Sequence, residues 1–216
     1  MSYRETLYKS IYYDPELKKN ELSIQAREDT LDIFTHAMEE FEQKRVLDFY
    51  CGTGKHAALL AEKGYRVIVA ETSVEALKIT AERAKMYDVS LELTSMTSPF
   101  SVKLPDKVIN GVIFIDQADE FKDQELQKII DESHRLLIKG GFIFMNFLPK
   151  EPIPTKYKFN LDTKGVYTLL EGPEKGRTVY LRENKLIERF FAHKFLIVDL
   201  FETKSGRRRV LAKRAN

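Results

Sequence analysis

Two carboxylates and the glycine pair between them are the residues whose types and spacing point to chemistry. In Arg-Val-Leu-Asp-Phe-Tyr-Cys-Gly-Thr-Gly-Lys, residues 45–55, Asp48 lies within an apolar run just ahead of Gly52 and Gly54. Glu71 closes the next apolar run, Val67, Ile68, Val69 and Ala70. Glycines without Cβ atoms let a ligand approach the backbone closely. A carboxylate about 20 residues further on is where doubly wound folds accept hydrogen bonds from ribose hydroxyls. A pyrophosphate fingerprint wants a third glycine where Ala57 stands, although alanine is sometimes allowed there. Asp48 would repel phosphate and attract a cationic amino acid group. The pattern therefore points away from a dinucleotide.

These groups need a strand, a sharp turn and a helix to position them. Val46, Leu47 and Phe49 make a short apolar run, as in a strand covered on both faces, and Ala58, Leu59 and Ala61 follow at helical spacing until Gly64. Further along, Ile24, Leu31, Phe34, Met38 and Phe41 predict one amphipathic helix, whereas the tyrosine-rich first twenty residues predict no firm element beyond a turn at Asp14-Pro15. Thr72 and Glu75 read as a capping box opening a helix through Val74, Leu77, Ala81 and Ala84 to about Tyr87. Strands are expected at residues 91–94, 108–115 and 142–147, with a helix at 125–137 ended by Lys139-Gly140-Gly141. Residues 116–120, Asp-Gln-Ala-Asp-Glu, open at the strand edge where such sheets bind ligands. Residues 148–178 read as a long irregular loop with a small hairpin at 167–170, placed to act as a substrate lid. A helix at 183–192 and a hairpin of residues 195–203 and 210–212 around Ser205-Gly206 complete the chain.

Asp48 with the glycine turn, Glu71 after the second strand and the Lys-Gly-Gly stretch together resemble the class I S-adenosylmethionine-dependent methyltransferases over roughly residues 46–147. The resemblance implies an α/β fold, a doubly wound and mostly parallel seven-stranded sheet with an antiparallel last strand and helices on both faces. It implies S-adenosyl-L-methionine as cofactor. Asp48 would help hold the methionine end, the backbone of residues 50–54 (Tyr50, Cys51, Gly52, Gly54) would wrap it, and Glu71 would take the ribose hydroxyls. Ser95 and Met96 would meet the adenine, and Asp116 would border the cofactor. Two positions depart from the family pattern: Tyr50 stands for the first glycine of the motif and Ser95 for an aspartate. An oxygen or nitrogen acceptor must lose a proton, for which Asp116 and Tyr13 are the catalytic candidates, with Asp119 and Tyr12 beside them. The expected organisation is a cap at residues 1–44 and a catalytic domain at 45–216 with an insert at about 148–180.

Composition narrows the function further. With 216 residues, 43% of them hydrophobic, and a net charge of +2, the chain has the size and core of one α/β domain and no global field that demands a nucleic acid or a membrane. Residues 151–216 nevertheless hold 15 bases against 8 acids. The run Arg207, Arg208, Arg209 with Lys204, Lys213 and Arg214 is the one nucleic-acid footprint, and edge-strand protection explains it as well. The lone Cys51 and four scattered histidines show no metal spacing, and His56 after the glycines reads as structural. No apolar run reaches a membrane span or forms a signal peptide, so a cytoplasmic monomer or homodimer is expected. The favoured reading is methyl transfer to a small molecule. A non-catalytic protein on the same fold, or an RNA methyltransferase using the basic hairpin, are the alternatives.

Overall fold

The computed structural model describes residues 3–94, 96–150, 156–172 and 174–215. Seven strands form the main sheet: β1 (Arg45–Phe49), β2 (Arg66–Ala70), β3 (Leu91–Thr94), β4 (Ile109–Phe114), β5 (Leu137–Phe147), β6 (Phe195–Glu202) and β7 (Arg208–Arg214). Their order is β3-β2-β1-β4-β5-β7-β6. Every adjacent pair is parallel except those involving β7, which is antiparallel to both β5 and β6. This is the doubly wound sheet with an antiparallel last strand expected from the sequence. Chain order reverses between β1 and β4, so the loops leaving these neighbours diverge and open a crevice at their carboxyl ends.

The central strands are buried on both faces because alternate side chains enter two different cores. Leu47, Phe49, Val112 and Phe114 meet α6 (Asp123–Leu136) and α7 (Asn184–Phe191), whereas Val46, Val67, Ile113 and Phe144 meet α3 (Asp32–Ala37) and α4 (Lys55–Glu62). Gly111 lies under Phe34, whose ring comes within 2.6 Å of an added Cβ, so the close packing of α3 on β4 needs a glycine there.

Several expected elements differ. The first residues are helical: α1 (Tyr3–Tyr13) and α2 (Pro15–Ser23). Asp14 caps α2, its carboxylate accepting from the Glu16 and Leu17 amides, and Pro15 takes the first helical position, so the dipeptide read as a turn starts a helix. The single helix expected over residues 24–41 is interrupted. Arg83 takes the main-chain oxygens of Glu21, Leu22 and Ile24 and fixes a non-helical exit there, and only Leu31, Phe34 and Met38 of that stripe are fully buried. The cap of α5 (Val74–Met86) is Ser73, whose hydroxyl accepts from the Ala76 amide, because the Glu71 carboxylate occupies Thr72. The Lys139-Gly140-Gly141 stretch lies within β5, as an irregularity in its pairing with β4, and Gly140 has φ +77°. The described part of the insert is a three-stranded antiparallel sheet of Phe159–Leu161, Val166–Leu169 and Thr178–Tyr180 on its own small core of Tyr167, Leu169 and Val179. Residues 151–155 and 173 of that insert lie outside the described residues.

Candidate active site

The glycine turn follows β1 and is held from below by α5. Thr80 donates to the Gly52 carbonyl at 3.1 Å and Arg83 to the Thr53 carbonyl at 2.8 Å. Both carbonyls are thus turned into the protein. A Cβ on Gly54 would sit 2.6 Å from Thr80, and one on Gly52 would sit 2.7 Å from the Tyr8 hydroxyl. At φ +75° and +56° both positions also require the left-handed backbone that glycine adopts freely. Cys51 is buried beneath the turn, its sulfur 3.9 Å from Thr80 Oγ1, and burial pushes its thiol far above the usual range.

Asp48, near the end of β1, is 2% exposed and one of its oxygens, Oδ2, has no hydrogen-bond partner. Burial, with the negative charge of Glu71 adding, pushes its carboxyl up to about 8. Glu71 sits at the end of β2 with one oxygen on the Gly52 amide at 3.1 Å and the other on the Thr72 and Ser73 amides. The two carboxylates and the turn therefore converge as expected.

Beside them lies a cavity of about 750 Å3. Tyr50, Glu71 and Gln117 form its base, Pro99 and Phe121 a side wall, and two elements cover it: α1 through Tyr3, Arg4 and Tyr8, and the insert through residues 176–178. Tyr50 has φ +58°, against the extended backbone that a side chain at this point would prefer. Its ring stacks on Phe49 at 5.5 Å and meets Phe114 and Phe121 edge-on. The hydroxyl donates to the Pro99 carbonyl, and its own carbonyl accepts from Gln117 Nε2. The ring therefore lines the cavity without closing it.

Three expected site residues are placed elsewhere. Tyr13 is 70% exposed and paired edge-on with Tyr12, because five residues beyond Tyr8 it points about 140° around the helix from the face over the cavity. Met96 pairs with Val102 and packs into the apolar core, leaving Pro99 as the cavity's contact from this loop. Asp116 is not among the residues that line the cavity. Burial raises its carboxyl, but the Arg207 cation at 2.7 Å, a hydrogen bond from Asn146 and the nearby His56 and Lys55 outweigh that and hold it below the usual range. Ser95 lies outside the described residues.

The sequence reading singled out Tyr3 and Tyr8 only as part of the tyrosine-rich amino terminus, and it missed Arg4, Thr80 and Arg83. Arg4 and Tyr8 stand four apart, one turn of a helix, and Thr80 and Arg83 interrupt the Ala76 and Ile79 face of α5 with polar groups. Among the described residues no cluster of His, Cys, Asp or Glu could hold a metal ion, and no helix is long and apolar enough to cross a membrane.

A sequence model of the methyltransferase domain matches residues 46–141, which span the strand, glycine turn and Glu71 described above. Over those residues the chain is similar to methyltransferase domains. No curated protein matches it in sequence. Solved structures share the fold. The PH0226 protein of Pyrococcus horikoshii OT3 is 21% identical over 86% of this chain and 89% of its own, with a TM-score of 0.72. An S-adenosylmethionine-dependent methyltransferase from Clostridium acetobutylicum is 13% identical over 98% of this chain and 99% of its own, with a TM-score of 0.73. An amino pentose methyltransferase from Micromonospora echinaspora is 14% identical over 94% and 98%, with a TM-score of 0.69.

The site fits S-adenosyl-L-methionine, the cofactor that the resemblance implies, on its own observations. The buried, unpartnered Asp48 Oδ2 calls for a donor such as an ammonium. The cavity volume is within the roughly 300–1,000 Å3 of small-molecule sites.

Proposed function

We propose that the protein is a methyltransferase acting on a small-molecule acceptor through an oxygen or nitrogen nucleophile. The observation that carries this reading is the covered cavity: α1 on one side and residues 176–178 on the other leave a space of small-molecule size next to Glu71. The amino pentose methyltransferase among its structural neighbours adds support for a small acceptor. In this reading residues 1–44 are the cap, residues 45–216 the catalytic domain, and the insert at about 148–180 the second cover.

When bound, S-adenosyl-L-methionine supplies an electrophilic methyl group on a sulfonium. The chain's own work is to bind, align and exclude water, since in-line displacement asks for little acid-base machinery. Glu71 accepts the ribose hydroxyls, Asp48 pairs with the cationic methionine end, and the backbone of the Cys51–Gly54 turn wraps the cofactor. The Tyr50 ring presents a π surface to the same cavity. Asp116, held ionised by Arg207 and Asn146, fixes the loop after β4 in place, with its main-chain oxygen accepting from Arg4.

Calorimetric titration tests the site directly. Glu71→Ala should weaken S-adenosylmethionine binding by about 1.5 to 3 kcal/mol, the range for a hydrogen bond to a charged group, while the circular dichroism spectrum stays that of the native protein. Wild-type affinity in the folded variant would remove Glu71 from the ribose. No binding by the wild type would favour the non-catalytic reading of the fold.

A further inference from the structure

The two covers of the cavity are distant in sequence, yet both are attached to one side chain. Arg4 of α1 makes a two-pronged pair with Glu120, through Nε to Oε2 and through an Nη to Oε1 at 2.8 Å. Arg177 of the insert reaches the same Oε1 through Nε at 3.0 Å. Glu120 lies in the short turn after β4, where its side chain is only 14% exposed. A shared oxygen places the two guanidinium nitrogens within about 6 Å of each other, close enough for like charges in a half-buried site to repel strongly. Glu174 meets the far side of Arg177 at 2.6 Å and belongs to the insert itself, so it neutralises Arg177 without tying it to α1. Arg4 has two further contacts, the Tyr8 hydroxyl at 3.1 Å and the Asp116 carbonyl at 2.7 Å, neither of which carries a countercharge from the insert.

We infer that Glu120 is the positioning residue that holds both covers of the cavity shut, by standing between two arginines that would otherwise push them apart. Lifting α1 or the insert breaks a bond to this one carboxylate. Glu120 thereby sets how fast the cavity opens. The assignment of ligands to the cavity rests on the proposed function. The mutual repulsion of the covers does not.

Amide hydrogen exchange of α1 reads the latch without any ligand. Glu120→Gln keeps the shape but removes the charge, leaving Arg4 and Arg177 face to face, and should speed exchange in residues 3–13 about tenfold. Arg177→Met alone should leave those residues near the wild-type rate, because Arg4 keeps its pair with Glu120. The combined Glu120→Gln, Arg177→Met variant should exchange more slowly in α1 than Glu120→Gln does, since the repelling partner is gone. A merely structural glutamate would show the opposite order, with the double variant at least as loose as the single one. That result, or wild-type exchange in Glu120→Gln, would overturn the inference. Should Glu120→Gln fail to fold, Arg4→Met serves in its place: it should loosen α1 and leave exchange in residues 176–180 unchanged, and equal loosening of both would also overturn it. Stopped-flow release of S-adenosylhomocysteine should accelerate about tenfold in Glu120→Gln. Loosened α1 exchange in a protein that binds no cofactor would sink the proposed function and leave the latch standing.

Discussion

At the scale of the residue, Asp48 carries the most information, because a buried carboxyl with an unpaired oxygen is costly unless a ligand completes it. Its carboxyl titrates at about 8 in the fold against 3.8 ordinarily, so the folded protein holds this proton more tightly than the unfolded chain. That contribution to stability is complete below the unfolded value and is lost as pH rises through about 8. A cationic ligand group beside Asp48 reverses the preference and expels the proton. Titrations of S-adenosylmethionine at pH 7 in buffers of different ionisation enthalpy should therefore report release of close to one proton, and Asp48→Asn should abolish the difference between buffers. Equal enthalpies in the wild type would separate Asp48 from the cationic end. Asp48, Glu71 and both glycines were legible in the sequence because their chemistry depends on residue type and chain spacing alone. Tyr50 was legible only as a departure. Its left-handed backbone, which costs a non-glycine residue about 1 to 3 kcal/mol, is held by a ring cluster and by Gln117, of which only Phe49 is adjacent in sequence.

At the scale of the element, the sheet was readable and the covers were not, for one reason. Strands β1, β2 and β4 are apolar on both faces, so their pattern records their burial directly. Helix α1 buries only Tyr8 and α2 buries no residue, so no apolar stripe announces either. They are held by polar contacts between residues far apart in the chain. Arg83 shows how: one guanidinium takes the carbonyls of Thr53, Glu21, Leu22 and Ile24, joining the glycine turn to the end of α2. Each buried carbonyl left unpaired costs about 1 to 3 kcal/mol, and water will reach some of the four. Arg83→Met should lower the unfolding free energy by about 2 to 4 kcal/mol in urea denaturation and weaken cofactor binding, since the turn loses its support. A loss under about 0.5 kcal/mol, the size of an ordinary surface change, would show that the turn and α2 hold themselves.

At the scale of the whole molecule, the distribution of charge bears on the choice between a small-molecule and an RNA acceptor. The carboxyl-terminal hairpin is basic in sequence, yet most of its cations are engaged by groups of the same chain. Arg208 is 2% exposed and donates to the Leu148 and Arg182 carbonyls. Arg207 pairs with Asp116 and Lys213 with Glu40, while Arg209 donates to the Asp29 carbonyl and Arg214 to that of Leu137. The footprint that suggested nucleic acid is therefore a set of braces tying the last strand to the rest of the sheet and to the cap. A protein that neutralises six to ten phosphates loses about 10³ to 10⁵ in affinity between 50 and 200 mM salt, whereas a surface with one or two free cations loses tenfold or less. Fluorescence anisotropy with a labelled single-stranded RNA should accordingly show weak binding and a change of no more than about tenfold across that range. A thousandfold change would mean that the hairpin releases its internal partners to grip phosphate, and the acceptor would then be sought among RNAs. The shallow dependence is the expected result, because freeing Arg208 would uncover a buried cation and strand two carbonyls, a cost that phosphate contacts at the surface would have to offset.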